Sequence, residues 1–359
     1  MTLTSYRHGG DIFGFDAARR NQIMDFSINI NPVGLSPLGR KAIKRDWEVE
    51  TVRYPDAESR DLIKALSDAY HVRQEYISVG NGATELMYTL LRILKPGRVF
   101  VPAPSFSEYR LSSEAAGCEV KCFFLDNDKQ FRIPVEVIKS ELIPHSLVYL
   151  GHPNNPDGCL LSAEDFHEIM KITAQKDSMV VIDESFIDFL EEEVSYRKYC
   201  EEYDNLVVIM SLTKFYAVPG LRIGCAFCNE SLTAQIKSNL IPWNVNGLAQ
   251  LYMTHAVKDR DYIQESKKFC KEQRETLSSA LKNFNELHVY PSTVNFILLK
   301  LTGKIQDAKQ LQDLLMPFNI LIRQCANYEG LDASYFRLAV RTEEENKKLL
   351  TALRKVWKK

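Results

Sequence analysis

The sequence predicts an α/β protein: a mostly parallel seven-stranded sheet with helices on both faces, then a smaller C-terminal α+β domain. Three observations carry that expectation. Short apolar runs recur at residues 76–79, 98–101, 120–125, 147–150, 179–182, 206–210 and 223–227. Most are near-continuous Val, Ile, Leu and Phe without alternation, the pattern of strands covered on both faces. Stretches of helical length with apolar residues three or four apart, such as 85–94 and 163–175, lie between several of them. Strand, helix, strand in repetition argues for parallel pairing. Polar, Gly and Pro residues collect directly after the runs, at Gly80-Asn81-Gly82, Pro102-Ala103-Pro104-Ser105-Phe106, His152-Pro153-Asn154-Asn155-Pro156, Asp183-Glu184-Ser185 and Ser211-Leu212-Thr213-Lys214. In open α/β sheets the ligand crevice lies outside the carboxyl ends of the strands. Five such ends point to one cofactor site.

After residue 265 the pattern changes. A helix over 267–284 leads to a strand at 294–299, a helix at 305–315, short strands at 320–323 and 336–340, and a charged closing helix at 343–357. We therefore divide the chain into an N-terminal segment, 1–45, packing on the small domain and covering the site. A large domain, 46–265, and a small domain, 266–359, follow. A length of 359 residues suits two domains. Forty-five Lys+Arg against 47 Asp+Glu leave a formal charge of −2, which supplies no field for nucleic acid or a membrane surface. No apolar run approaches the ~20 residues that span a bilayer, and Met1–His8 lacks the apolar core of a signal peptide. The expectation is a soluble cytoplasmic protein. Its eight cysteines are scattered, and only Cys225-Ala226-Phe227-Cys228 has metal or redox spacing. Without a second pair they read as buried, reduced small hydrophobes, and no metal site is expected.

The densest chemistry lies in Ser211-Leu212-Thr213-Lys214 and Gly220-Leu221-Arg222-Ile223-Gly224. A lysine at a strand's carboxyl end, flanked by hydroxyls and followed eight residues later by Arg, suits pyridoxal 5′-phosphate. Ser211, Thr213 and Arg222 are candidates to hold its phosphate, with backbone N–H groups of Gly82 and Ala83 at a helix N-terminus. Asp183, ending an apolar strand, needs a cationic partner, which a protonated pyridine nitrogen supplies. Asn155 is a candidate donor to the ring oxygen, and Phe106 a flat face for stacking. Singly these residues read as an exposed lysine, a helix cap, a turn and a core ring; their order and spacing reverse that balance.

That order resembles the fold-type I pyridoxal-phosphate enzymes over nearly the whole chain, through Tyr54-Pro55, Gly80-Asn81-Gly82, Pro153-Asn154-Asn155-Pro156-Asp157-Gly158, Asp183-Glu184, Ser211-Leu212-Thr213-Lys214 and Gly220-Leu221-Arg222-Ile223-Gly224. His8-Gly9-Gly10, Asp25-Phe26-Ser27-Ile28-Asn29-Ile30-Asn31-Pro32, Asp183-Glu184-Ser185-Phe186 and Arg323-Gln324-Cys325-Ala326-Asn327-Tyr328 narrow it further. They resemble the histidinol-phosphate aminotransferase branch and, within it, the threonine-phosphate decarboxylases of cobalamin biosynthesis. The resemblance implies that Lys214 is the catalytic Schiff-base lysine, Asp183 the pyridinium partner, and Asn155 and Phe106 the ring contacts. It implies that Ser211, Arg222, Gly82 and Ala83 hold the phosphate, with Tyr54 reaching across a homodimer. For the substrate it implies Arg337 at the carboxylate, Arg323 at the phosphate, and His8, Gly9 and Asn31 from the covering segment, with Asn155 nearby.

Two departures stand out. The aminotransferases carry Tyr three residues after the aspartate, where this chain has Phe186. Loss of that phenol removes a hydrogen bond favouring the deprotonated Schiff base, so a higher cofactor pKa is expected. Asp157 stands where many relatives have Thr, a difference turn chemistry can account for. The activity implied is decarboxylation of O-phospho-L-threonine to (R)-1-aminopropan-2-yl phosphate, or of O-phospho-L-serine to ethanolamine phosphate. The alternatives are a histidinol-phosphate aminotransferase and, outside enzymes, a ligand-sensing regulator, for which no basic N-terminal module is seen.

Overall fold

The computed structural model describes residues 8–125 and 131–357; the first seven residues, read above for a leader, lie outside them. The seven apolar runs are strands: β1 (Ile77–Gly80), β2 (Arg98–Ala103), β3 (Glu119–Phe124), β4 (Ser146–Gly151), β5 (Met179–Asp183), β6 (Leu206–Ser211) and β7 (Gly224–Phe227). They form one sheet in the order β1-β7-β6-β5-β4-β2-β3. Pairing is parallel from β6 through β3, while β7 runs antiparallel to both β6 and β1. The reversal has a local cause. Between β6 and β7 lie only the turns Leu212–Phe215 and Pro219–Leu221, and a parallel return needs a longer crossover, usually a full helix.

Successive residues of the central strands enter opposite cores. Val180, Ile182, Val208 and Met210 pack in one cluster, and Val181, Val207 and Ile209 in the other. That double burial explains the unalternating runs. Register brings the strand ends level: Gly151 lies opposite Asp183, and Gly224 lies between Gly80 and Ser211.

The C-terminal part is a four-stranded antiparallel sheet, with β8 (Leu287–Val289), β9 (Phe296–Leu301), β10 (Arg323–Gln324) and β11 (Tyr335–Ala339) in the order β10-β11-β9-β8. The helices Ala308–Leu315 and Glu343–Trp357 pack on it in a separate core. The helix Arg260–Leu281 begins ahead of the expected 267, capped by Asp259, and passes unbroken through residues 265 and 266. From the N-terminal segment, Met24–Asp25 pairs in parallel with Ile320–Leu321, and Phe26 is buried in the C-terminal core.

Gly224 is where the sheet lets a helix N-terminus reach the site. A Cβ there would sit 2.5 Å from the Ala83 nitrogen and 2.9 Å from the Met210 carbonyl oxygen, backbone that cannot move aside cheaply. Gly224→Ala should therefore destabilise the fold by about 2 kcal/mol, read as a lower urea midpoint with an unchanged slope. A wild-type midpoint would show that this approach is not tight.

Candidate active site

The carboxyl ends of β4, β5 and β6 and the start of the helix Ala83–Leu94 open on a cavity of about 310 Å³. Lys214, Asp183, Asn155, Phe106, Ala83, Ser211, Thr213, Arg222, Arg323, Arg337, His8 and Gly9 all face it. Residues spread over most of the chain thus meet in one place.

At the floor, Asp183 ends β5 and is buried. One carboxylate oxygen accepts the Tyr109 hydroxyl at 2.9 Å, the other the Ser185 N–H at 2.9 Å. Tyr109 is in turn stacked on Tyr149, ring centroids 4.9 Å apart and nearly parallel, and lies edge-on to Phe106 at 5.8 Å. The carboxylate is therefore aimed by two fixed donors rather than left to rotate.

Lys214 lies on the turn Leu212–Phe215 that follows β6, its Nζ 5.1 Å above the Phe186 ring. Burial pushes its amine down to about 8; Arg222 and Arg337 push the same way, and Asp183 opposes them. A depressed lysine is a better nucleophile near neutrality. Beside it, the Ser211 and Thr213 hydroxyls are 2.8 Å apart. Gly82, at φ +80°, caps the helix Ala83–Leu94 without a side-chain hydrogen bond. A Cβ on Gly82 would fall 2.5 Å from the Arg222 guanidinium, so glycine lets that cation close over the helix N-terminus. Two hydroxyls, a guanidinium and a helix N-terminus make a phosphate cradle.

On the opposite wall, Arg323 of β10 and Arg337 of β11 are direct cross-strand partners. Arg337 donates to Asn155 Oδ1, to the Ser27 carbonyl at 3.1 Å and toward Tyr328 Oη at 3.4 Å; in its favourable amide orientation Asn29 accepts from it too. Arg323 donates to the Gln324 carbonyl and, at 2.9 Å, to Asn327 Oδ1, and lies over the Tyr328 ring. Among the described residues, the hydrogen-bond partners of both arginines are neutral. Two like charges directly opposite on adjacent strands repel, so this wall is built to receive anions. His8 adds a ring 5.9 Å from Phe106 and 3.1 Å from Glu108.

Two expected residues lie elsewhere. Asn31 is 2% exposed and turned away: its amide donates to the Phe215 carbonyl at 2.8 Å and to Ser266 at 2.8 Å, and its oxygen accepts from Val33. It fastens the Asn-Pro turn beneath Lys214, and Asn29 faces the cavity in its place. Tyr54 is 80% exposed, its ring tilted against Trp243 at 4.7 Å, and outside the cavity of its own chain. Ser27, Asn29, Tyr109, Ser185 and Tyr328 were not singled out from sequence. Ser27, Asn29, Ser185 and Tyr328 lie within motifs already quoted, and Tyr109 stands three residues after Phe106, but those motifs did not say what each side chain meets. Asp157 is fully buried and bonds the Cys159 N–H at 2.8 Å and the Asn154 amide, which is turn chemistry; burial lifts its carboxyl to about 6. Cys225 and Cys228 are buried thiols that enter opposite cores of the sheet.

The pattern of a known family, aminotransferase class I and II, matches residues 21–353. The chain belongs to that family. It is 33% identical over 99% of its length to a threonine-phosphate decarboxylase of Salmonella typhimurium, covering 98% of that protein. It is 35% identical to an adenosylcobalamin biosynthesis bifunctional protein of Leptospira interrogans, over 98% of this chain but only 41% of that longer one. Among solved structures, an L-threonine-O-3-phosphate decarboxylase from Porphyromonas gingivalis aligns with a TM-score of 0.83 at 26% identity, over 93% of this chain and 99% of that one. A histidinol-phosphate aminotransferase from Clostridium acetobutylicum aligns with a TM-score of 0.84 at 31% identity, over 92% of this chain and 98% of that one.

The cofactor is pyridoxal 5′-phosphate, and the residues present fit it. The cradle at Ser211, Thr213, Arg222 and Ala83 suits its phosphate, the doubly held Asp183 suits its ring nitrogen, and Lys214 suits its aldehyde. Lys214 also yields a stability test. The unfolded chain binds a proton that the fold gives up between about pH 8 and the ordinary lysine value of 10.5, so this group's contribution to stability rises with pH across that window. In cofactor-free protein, Lys214→Met should be more stable than wild type below about pH 8, with the gap closing toward 10.5. Urea titrations at the two ends of the window measure it, and a pH-independent gap contradicts the depressed amine.

Proposed function

We propose that the chain decarboxylates O-phospho-L-threonine to (R)-1-aminopropan-2-yl phosphate and CO2 for cobalamin biosynthesis, with O-phospho-L-serine as a close variant giving ethanolamine phosphate. The observation that carries this reading is the Arg323–Arg337 pair, two cations in direct cross-strand register with neutral partners. A phosphorylated amino acid brings one anion for each. The names of the relatives at 33–35% identity support the same substrate class. One methyl group in a pocket is worth only about 1–3 kcal/mol, which is why the serine compound stays within the reading.

When bound, the cofactor supplies an aldehyde for the substrate amine and a ring that withdraws electrons from the α-carbon. The chain's own residues supply the rest. Arg337 holds the carboxylate and Arg323 the phosphate, and fixing both ends limits rotation about the bonds between them. That orientation decides which bond at the α-carbon reacts, and angular misplacement costs rate steeply. Lys214, in its ammonium form, is placed to return a proton to the α-carbon after CO2 leaves. Phe186, buried and facing the cavity, presents no hydroxyl where the aminotransferases have a phenol.

We also place the protein in the cytoplasm as a homodimer. Among the described residues no helix is long and apolar enough to cross a membrane. Trp47, Val52, Tyr54, Ile241 and Trp243 are all about half exposed or more, and such apolar side chains at the surface suit a second copy. In that assembly Tyr54 reaches the partner's phosphate cradle.

Holo-protein mixed with O-phospho-L-threonine should release CO2 and one equivalent of the amino alcohol phosphate. Arg337→Ala should raise KM at least tenfold and leak toward keto-acid formation. Amino transfer from histidinol phosphate to 2-oxoglutarate without CO2 would instead establish the aminotransferase reading favoured by the Clostridium neighbour. A second expectation concerns the cofactor. Phe186→Tyr restores the phenol and should lower the pH at which cofactor absorbance titrates; an unchanged or higher midpoint refutes the role given to Phe186.

A further inference from the structure

The N-terminal segment meets the substrate wall at Ser27 and Asn29, and Ser27 carries the further ties. Ser27 is 5% exposed, and its hydroxyl proton goes to Asp25 Oδ1 at 2.5 Å, which also accepts the Ser27 N–H at 2.8 Å. With its proton committed there, the hydroxyl oxygen accepts the Gly10 N–H at 2.7 Å. Its backbone carbonyl accepts from Arg337 at 3.1 Å. Asp25 itself is 7% exposed and held in register with Leu321, two residues before Arg323. Its second oxygen is buried without a partner among the described residues. A carboxylate is thus spent on orienting a neutral hydroxyl, an arrangement that costs desolvation and so calls for a positional reason. Gly9 packs against the same point: a Cβ there would lie 2.3 Å from the Ser27 carbonyl oxygen and 2.9 Å from its hydroxyl.

We propose that Ser27, aimed by Asp25, is the positioning residue that locks residues 8–10 over the cavity and joins them to Arg337. The segment and the carboxylate clamp then move as one body, and substrate affinity depends on that union while the cofactor end of the site does not. Ser27 touches neither cofactor nor reacting atoms in this assignment. The inference rests on the reading above only for the substrate used as a probe.

The test is Ser27→Ala in the holoenzyme, with Ser27→Thr as the conservative rescue. Loss of the acceptor for Gly10 should raise KM for O-phospho-L-threonine about tenfold with kcat within about twofold, and Thr should restore KM. Hydrogen exchange of peptides covering residues 8–12 should speed up about tenfold in Ser27→Ala, while exchange across Asp183–Lys214 stays at the wild-type rate. His8→Ala should add nothing further to KM in the Ser27→Ala background. Gly9→Ala, which disturbs the contact without altering Ser27, should reproduce the exchange result if Ser27→Ala does not fold. Unchanged exchange at 8–12, an equal effect on the cofactor end, or additive KM effects would each overturn the proposal. If wild type releases no CO2, the substrate reading fails, and the exchange data alone then decide the positioning role.

Discussion

Uncompensated positive charge in a buried cleft is the constraint on which the site depends. Lys214, Arg222, Arg323 and Arg337 face one cavity whose floor carries Asp183. Burial and its cationic neighbours hold the Lys214 amine down, and burial also lowers the Arg337 guanidinium from its ordinary value. Such a cluster is tolerated only where the scaffold is rigid and where anionic ligands complete it. The cross-strand register of Arg323 and Arg337 holds their backbones side by side.

The two ends of the cavity are built differently. The cofactor end rests on the central sheet, with buried strands on both sides and fixed donors on Asp183. Gly82 and Gly224 allow a helix N-terminus and a guanidinium to approach where any side chain would collide. The substrate end is assembled from the four-stranded sheet and from an N-terminal segment added to it through Met24–Asp25. Its polar ties run between elements remote in sequence, such as Arg337 to Ser27 and Tyr328 to Asn155 at 3.2 Å. In the proposed reaction, specificity is decided at that second end, since the orientation of the substrate's anionic groups would set which bond stands ready to break.

Relatives that share this fold carry the names of both decarboxylases and aminotransferases at comparable similarity. Phe186 in contact with Phe296 at 4.9 Å gives the wall beside Lys214 an apolar character that a tyrosine would not. Function here is read from the site and not from the fold.

The sequence by itself determined the sheet, because double burial forces continuous apolar runs, and it pointed to the candidate cofactor residues. Lys214, Asp183, Asn155 and Ser211 were legible at or just after the carboxyl ends of such runs, and Arg222 directly before one. The helix that opens at Arg260 was placed too late, since its first turn is polar and is set by the Asp259 cap. Asn31 was assigned to the substrate on the resemblance, as part of the covering segment; only the tertiary structure shows it tying a turn, with Asn29 in the cavity. Ser27, Tyr109 and Tyr328 belong to the same class. Each has a partner far along the chain, Arg337 for Ser27, Asp183 for Tyr109 and Asn155 for Tyr328, and sequence spacing does not report which side chains a motif residue will meet. Local patterning records what a segment must bury, whereas pairing across the fold decides which polar side chains meet.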